Sequence, residues 1–218
     1  MNYEQTESVA VLHLDDGKAN AVGHELIDGL NEGLDRAEKE AAAVVLHGRE
    51  GVFSAGFDLK EIQKGPDAAS ALVGKGASLF LRMFSHPQPL VIACTGHAIA
   101  AGAFMLLSAD NRIGAAGEFK IGLNETAIGM TFPVFGLELA KARLDPRHQT
   151  RAFVQSTLYD PDGAVVVGYL DRVLPPEQVL EGAKVEAAAL AELPAGPYAQ
   201  NKRDLRATYI AAIEASLH

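Results

Sequence analysis

Short β-rich apolar runs alternate with segments of helical period along this chain, and that alternation is what most limits the fold. Ser8-Val9-Ala10-Val11-Leu12-His13-Leu14, Ala43-Val44-Val45-Leu46-His47-Gly48 and Gln88-Pro89-Leu90-Val91-Ile92-Ala93-Cys94 are such runs, and Asn111-Arg112-Ile113-Gly114-Ala115 is a weaker one. Between the first two, Leu26, Ile27, Leu30 and Leu34 recur at helical spacing over residues 24–40, with charged side chains between them. Leu72, Leu79, Phe80 and Met83 do the same over residues 70–84, and residues 101–108 form an Ala-, Met- and Leu-rich helix. Strands joined through helices pair in parallel, so the pattern predicts an α/β fold. Glu118-Phe119-Lys120-Ile121 reads as one more short strand. Residues 156–218 read as mostly helical, with an Ala-rich helix over 179–193, a break at Pro194-Ala195-Gly196-Pro197 and a last helix over 198–217. The chain therefore divides into an α/β core, 1–155, and a C-terminal helical region, 156–218.

Composition narrows the function. A net charge of -9 argues against a nucleic-acid groove, which wants a basic face. The N-terminus lacks a basic stretch followed by an apolar run, so no signal peptide is predicted, and no apolar stretch is long enough for a membrane span. The single cysteine, Cys94, has no partner for an internal disulfide, which fits a reducing, cytoplasmic setting. It lies in an apolar run and reads as a buried strand residue, not a nucleophile. The histidines lie far apart in sequence without ligand spacing, so no metal site is expected.

Three segments carry chemistry. Gly96-His97-Ala98-Ile99-Ala100-Ala101-Gly102-Ala103-Phe104 is a small-residue loop opening a helix, whose first N–H groups have no partner inside the helix. Phe53-Ser54-Ala55-Gly56-Phe57-Asp58-Leu59 is a second turn of the same character, and Ile121-Gly122-Leu123-Asn124-Glu125 delivers a lone carboxylate among apolar residues. Backbone donors and one base suffice to take a proton from carbon beside a carbonyl. Taken singly, each turn also reads as a plain helix start, and Glu125 as a surface or helix-start carboxylate. The apolar neighbours Ile121, Leu123, Ile128 and Met130 favour burial and a raised pKa. Phe57, Phe104, Phe132 and Phe135 read either as core or as the lining of an acyl pocket.

Residues 53–60 resemble the first signature of the crotonase superfamily, the enoyl-CoA hydratases and isomerases. Ala93 through Ala103, continuing to Ala109-Asp110, resembles the second, and the likeness runs from Asp16-Gly17-Lys18-Ala19-Asn20-Ala21 to Gly168-Tyr169-Leu170-Asp171-Arg172-Val173. The resemblance implies a crotonase (ClpP-like) superhelix of repeated β-β-α units. It also implies an acyl-CoA thioester substrate of fatty acid metabolism, no cofactor beyond the coenzyme A of that substrate, and a homotrimer or dimer of trimers. The oxyanion hole would be the backbone amides of Phe57 and Ala101, with Glu125 as the base. Ala55, Gly56, Phe57 and Asp58 would meet the adenine, with Lys18 or Lys60 near phosphate, although for a single lysine a solvated surface role is the commoner one. Lys202 resembles a family lysine that reaches a neighbouring subunit's ligand. Asp110 reads as structural, tying the turn at Asn111-Arg112, and His97 as a packing or polar neighbour of the hole.

Hydratases of this superfamily use two glutamates, and the first of those positions is Phe104 here. Glu125, followed by Ile128-Gly129-Met130-Thr131-Phe132-Pro133, resembles the single-glutamate Δ3,Δ2-enoyl-CoA isomerases. A hydratase would need another acid, and Glu118 and Glu138 match no catalytic position of the family. A non-catalytic acyl-CoA-binding homologue is the third reading.

Overall fold

A computed structural model describes residues 1–217; His218 lies outside the described residues. In chain order the elements are β1 (Asn2–Thr6), β2 (Val9–His13), α1 (His24–Glu40), β3 (Ala43–His47), β4 (Gly51–Ser54), α2 (Leu59–Ile62), α3 (Pro66–Phe84), β5 (Leu90–Cys94), β6 (Gly96–Ile99), α4 (Ala101–Ser108), β7 (Asn111–Ala115), β8 (Ile121–Gly122), α5 (Val134–Arg143), α6 (Pro161–Val167), β9 (Arg172–Leu174), α7 (Val179–Ala191) and α8 (Ala195–Ala215).

The strands form two sheets, a larger one ordered β1-β2-β3-β5-β7-β9 and a smaller one ordered β4-β6-β8. All pairs are parallel except the β1–β2 hairpin. Three times the chain steps from the large sheet to the small one, β3 to β4, β5 to β6 and β7 to β8, and each time helix follows. That is a repeated β-β-α unit. The continuous apolar runs are explained by burial on both faces. Val9, Val11, Val45, Val91 and Ile113 pack under Val179, Ala183 and Ala187 of α7. Ala10, Leu12, Leu46 and Ile92, one residue out of phase, join the core shared with α1, α3 and α4.

The structure departs from the sequence expectation at several elements. β1 is an added edge strand; its residues are polar and mostly exposed, so it carries no apolar signal. The strand expected over 118–121 is displaced to Ile121–Gly122. The C-terminal stretch, expected to be mostly helical over 156–218, also supplies β9, which pairs with β7 (Ile113 opposite Arg172) and completes the large sheet, and α7, which covers a sheet face. The last helix starts at Ala195 because Pro197 falls in its first turn, where a missing N–H breaks no helical bond. α8 packs back on α5 and α3 of its own chain.

Parallel register also brings together His13 and His47, distant in sequence, with Nδ1 atoms 3.0 Å apart. Burial first, then the His13 charge, pushes His47 down to about 4. Cys94 is buried in β5, and burial raises its thiol to about 12. Among the described residues, no three His, Cys, Asp or Glu side chains are grouped to hold a metal.

Candidate active site

The three segments singled out in the sequence leave the same edge of the small sheet. Ser54, Ala98 and Ile121 lie side by side in the parallel register of β4, β6 and β8. Phe57 and Ala101 each follow three residues later along the chain, beyond their strands, and Glu125 four residues later. Equal advance along parallel strands carries all three past the carboxyl ends, where α/β sheets place ligands.

The two donor turns abut. A Cβ built on Gly56 would stand 3.2 Å from Ala100 Cβ and 3.7 Å from the Ala101 amide nitrogen, so only glycine, at φ +106°, fits there. Gly102 faces Ser54, whose carbonyl oxygen would be 2.4 Å from a Cβ on Gly102. Ala100 has φ +52° and ψ -118°, a conformation that strains a residue with a side chain. It is held there by its N–H donating to the Gly122 carbonyl (3.0 Å) and by its carbonyl accepting from Phe104 N–H (3.0 Å). Among the described residues, neither the Phe57 nor the Ala101 N–H donates to a protein acceptor. Both are free for a ligand oxygen.

The Phe57 turn is laced to the loop before α1. Val22 N–H donates to Gly56 O (2.8 Å) and Ala55 N–H to Ala19 O (3.0 Å). Buried Asn20 donates to Leu14 O and Phe53 O and accepts, through its own carbonyl, the Ser54 hydroxyl (2.7 Å). Asn20 and Ser54 thus set the donor's position.

Glu125 is 6% exposed, and its Oε2 has no hydrogen-bond partner. Burial raises its pKa to about 7, opposed weakly by backbone hydrogen bonds at Glu125 and Asn124. Of its apolar neighbours, Ile121 and Leu123 are fully enclosed, whereas Ile128 and Met130 stay 56% and 47% exposed. A short 3-10 turn over Thr126–Ile128 follows, and Met130 N–H closes it on Glu125 O (2.9 Å). A carboxylate near neutrality that follows the same strand ends as two unpaired amides supplies the groups needed to move a proton next to a developing oxyanion.

Comparison with known proteins gives the family. A family model described as enoyl-CoA hydratase/isomerase matches residues 4–218. The chain belongs to the enoyl-CoA hydratase/isomerase family. It is 32% identical over 181 residues to mouse enoyl-CoA delta isomerase 1, mitochondrial, covering 81% of this chain and 63% of that protein. It is 35% identical over 126 residues to a probable enoyl-CoA hydratase of Bacillus subtilis, 56% of this chain and 48% of that one. The chain thus spans less than two thirds of the length of these relatives. The crystal structure of an enoyl-CoA hydratase/isomerase family protein from Pseudomonas syringae superposes with a TM-score of 0.96 at 41% identity, covering 99% of this chain and 94% of that one.

Within this family member, Phe104 is buried and packs against Phe80, Phe132 and Phe135, with ring centroids 5.2–6.3 Å apart. Phe57 continues the cluster through Phe80. Phe132 stacks on Phe153. The other site residues divide. Ala55 and the chains of Lys18 and Lys60 are exposed. Asp58 caps α2, accepting from Lys60 N–H (2.9 Å). Lys202 requires a correction. Its ammonium donates to His86 O (2.8 Å), Gln88 O (2.9 Å) and Asp110 Oδ2 (2.6 Å), which uses all three of its protons. It is a buried structural cation with none left for a ligand, although it borders a cleft of about 400 Å³ with Leu193, Tyr198 and Leu205. Asp110 ties the start of β5 and α8, not the turn at Asn111-Arg112; Arg112 pairs instead with Asp171. His97 accepts from Lys120 N–H (3.0 Å) and packs edge-on to Phe119.

Proposed function

We propose that this chain isomerises 3-enoyl-CoA to 2-enoyl-CoA through a thioester enolate. The observation that carries the proposal is one buried carboxylate, raised to about 7, leaving the same sheet edge as two unpaired backbone donors. Glu125 takes the proton from C2; the C–H electron pair moves to C1–C2, and charge develops on the thioester oxygen. The Phe57 and Ala101 amides stabilise that charge. The enolate then collapses to a C2–C3 double bond, the C3–C4 pair takes the proton back from Glu125 at C4, and no atom is gained or lost. The name of the mouse relative, a delta isomerase, supports this reading.

Hydration is the competing reading, and the name of the Bacillus relative favours it. Adding water asks for a second polar group to hold the water. Phe104 occupies that position with an apolar ring packed among phenylalanines, Glu118 is exposed, and Glu138 pairs with Lys141 (2.9 Å). A non-catalytic acyl-CoA binder would have no use for a buried base. The coenzyme A contacts of Lys18, Lys60 and the Ala55–Asp58 turn, and assembly as a homotrimer or dimer of trimers, belong to the same proposal.

The test is incubation with 3-enoyl-CoA and with 2-enoyl-CoA, separating isomer from hydrated product, for wild type and Glu125→Gln. We expect isomer and little hydrated product. The variant should lose about a hundred- to ten-thousand-fold in kcat with KM little changed. Undiminished turnover by the variant would remove Glu125 as the base, and efficient hydration would replace isomerisation.

A further inference from the structure

The Phe57 amide takes its direction from the loop that precedes α1. Val22 and Phe57 form a parallel bridge, in which Val22 N–H donates to Gly56 O (2.8 Å) and Asp58 N–H donates to Val22 O (3.2 Å). Val22 thus engages both peptides that flank Phe57. In a trans peptide the carbonyl and the N–H point opposite ways. With the Gly56 carbonyl turned onto Val22, the Phe57 N–H is turned away from the loop, and among the described residues no protein acceptor meets it. Residues 14–21 lie in no helix or strand, so side chains must set the course of this loop. Asp16 does most of it. Its Oδ1 accepts from Lys18 N–H (2.7 Å) and Asn20 N–H (2.9 Å), and its Oδ2 from Ala21 N–H (3.4 Å). Asn20 Oδ1 accepts from Asp16 N–H (3.0 Å) in return. The reciprocal pair holds Asn20 at φ +48°, a left-handed conformation that asparagine adopts more readily than most residues. Arg49 Nε adds one bond from outside, to Lys18 O (2.6 Å).

We propose that Asp16 is a positioning residue for the oxyanion hole: its carboxylate gathers the loop from Lys18 to Ala21 into the shape in which Val22 aims the Phe57 N–H. The proposal rests on the reading of that amide as a hole donor. The path is short and made of hydrogen bonds and one peptide link. Asp16 holds Ala21, Ala21 is joined to Val22, and Val22 holds the Gly56 carbonyl, whose own peptide carries the Phe57 N–H. A hole donor acts only when aimed at where the charge develops, within about 2.7–3.1 Å, so a small rotation of that peptide is enough to weaken it. A carboxylate suits the task because it only accepts, and its two oxygens can gather several N–H groups at once. Asn20 and Ser54, which also brace this turn, are buried, so substituting them disturbs packing as well as aim. Asp16 is exposed, and its loss leaves the core intact.

The test compares Asp16→Ala, Asp16→Asn and Asp15→Ala with wild type. Two quantities are read: turnover of 3-enoyl-CoA, and the infrared carbonyl stretch of bound 2-butenoyl-CoA carrying carbon-13 at the thioester carbon. Donors on the carbonyl oxygen weaken the C=O bond and lower that stretch. For Asp16→Ala we expect kcat about tenfold lower with KM little changed, less than the roughly hundredfold cost of losing a donor outright. Its carbonyl band should move up toward that of the free ester. Asp16→Asn should restore both, because an amide oxygen still accepts from Lys18 and Asn20. Asp15→Ala should match wild type, since Asp15 Oδ1 accepts only from Gly17 N–H (2.8 Å) in the same loop. Asp16→Ala with wild-type kcat and an unmoved band overturns the proposal. So does a raised KM with an unmoved band, the mark of a loop that serves coenzyme A binding alone, and so does an equal loss in Asp15→Ala. A wild-type band at the free-ester position overturns the donor reading, and this proposal with it. The band is read without turnover, so undiminished activity of Glu125→Gln beside a shifted band in Asp16→Ala removes Glu125 as the base and supports the role of Asp16.

Discussion

At the scale of the residue, Glu125 couples activity to stability through one number. Burial holds its folded pKa at about 7, above the ordinary 4.5 of an unfolded glutamate. A group whose folded pKa is raised binds more protons folded than unfolded between those values, so stability falls as pH rises from about 4.5 to 7 and is level above. Glu125→Gln removes the charge without changing the size. It should therefore be more stable than wild type at pH 8, by at most about 3 kcal/mol if the whole shift is released. At pH 4 the two should be alike. Urea unfolding at both pH values checks this, and equal stability at pH 8 would contradict a buried, strained carboxylate. Activity runs the other way: kcat/KM should rise with pH through about 7 as the base ionises.

At the scale of the element, the site depends on how closely α4 seats on the end of β4. Gly102 lies against the Ser54 carbonyl, and Ser54 is fixed by Asn20, so helix and strand cannot separate without moving both donors. Gly102→Ala puts a methyl group where the nearest backbone oxygen is 2.4 Å away. We expect a loss of about 1–3 kcal/mol from overpacking. We also expect a fall in kcat greater than any rise in KM, because the donor amides lose their common aim. Thermal unfolding with steady-state kinetics measures both. A variant with native stability and native kcat would mean the two turns are not mechanically linked.

At the scale of the whole molecule, one aspartate joins four separate parts of the chain. Asp110, just beyond α4, accepts from Leu90 N–H (2.9 Å) at the start of β5 and from Tyr198, Lys202 and Arg206 of α8. Lys202 and Arg206 carry the link on to His86 O, Gln88 O and Phe84 O behind α3. Burial pushes Asp110 up, but the Lys202 and Arg206 charges outweigh it and hold the carboxyl below its ordinary value. A lowered folded pKa stabilises the protein above the unfolded value near 3.8, and that contribution is lost as pH falls below it. Asp110→Asn leaves two buried cations without their anion. It should cost about 3–5 kcal/mol and release α8 first. Hydrogen exchange along residues 195–215, with denaturant unfolding at pH 7, reads both effects.

Much of this molecule was legible in the chain itself because the deciding interactions are local or periodic. Burial on both faces writes continuous apolar runs for β2, β3 and β5, and one-sided packing writes the helical period of α1 and α3. The start of α4 shows as small residues at Ala100–Gly102, but Gly96–Ile99, which reads as a loop, is strand β6. The position of Glu125 among Ile121 and Leu123 already foretold its burial. Other features have no local signature. β1 is polar because it lies at an edge, and β9 is three residues whose strand state is decided by pairing with β7. Lys202 has an ordinary surface lysine's sequence context, and only the approach of α8 to Asp110 turned it inward. Tyr159 lies 38 positions from Ile121 in sequence, and the two pair because the segment before α6 is folded back onto β8. Local periodicity and motif determine which elements form and which groups are able to react. Which of those groups face one another is set by parallel register and by chain segments returning from far along the sequence, and that is decided only when the sheets close.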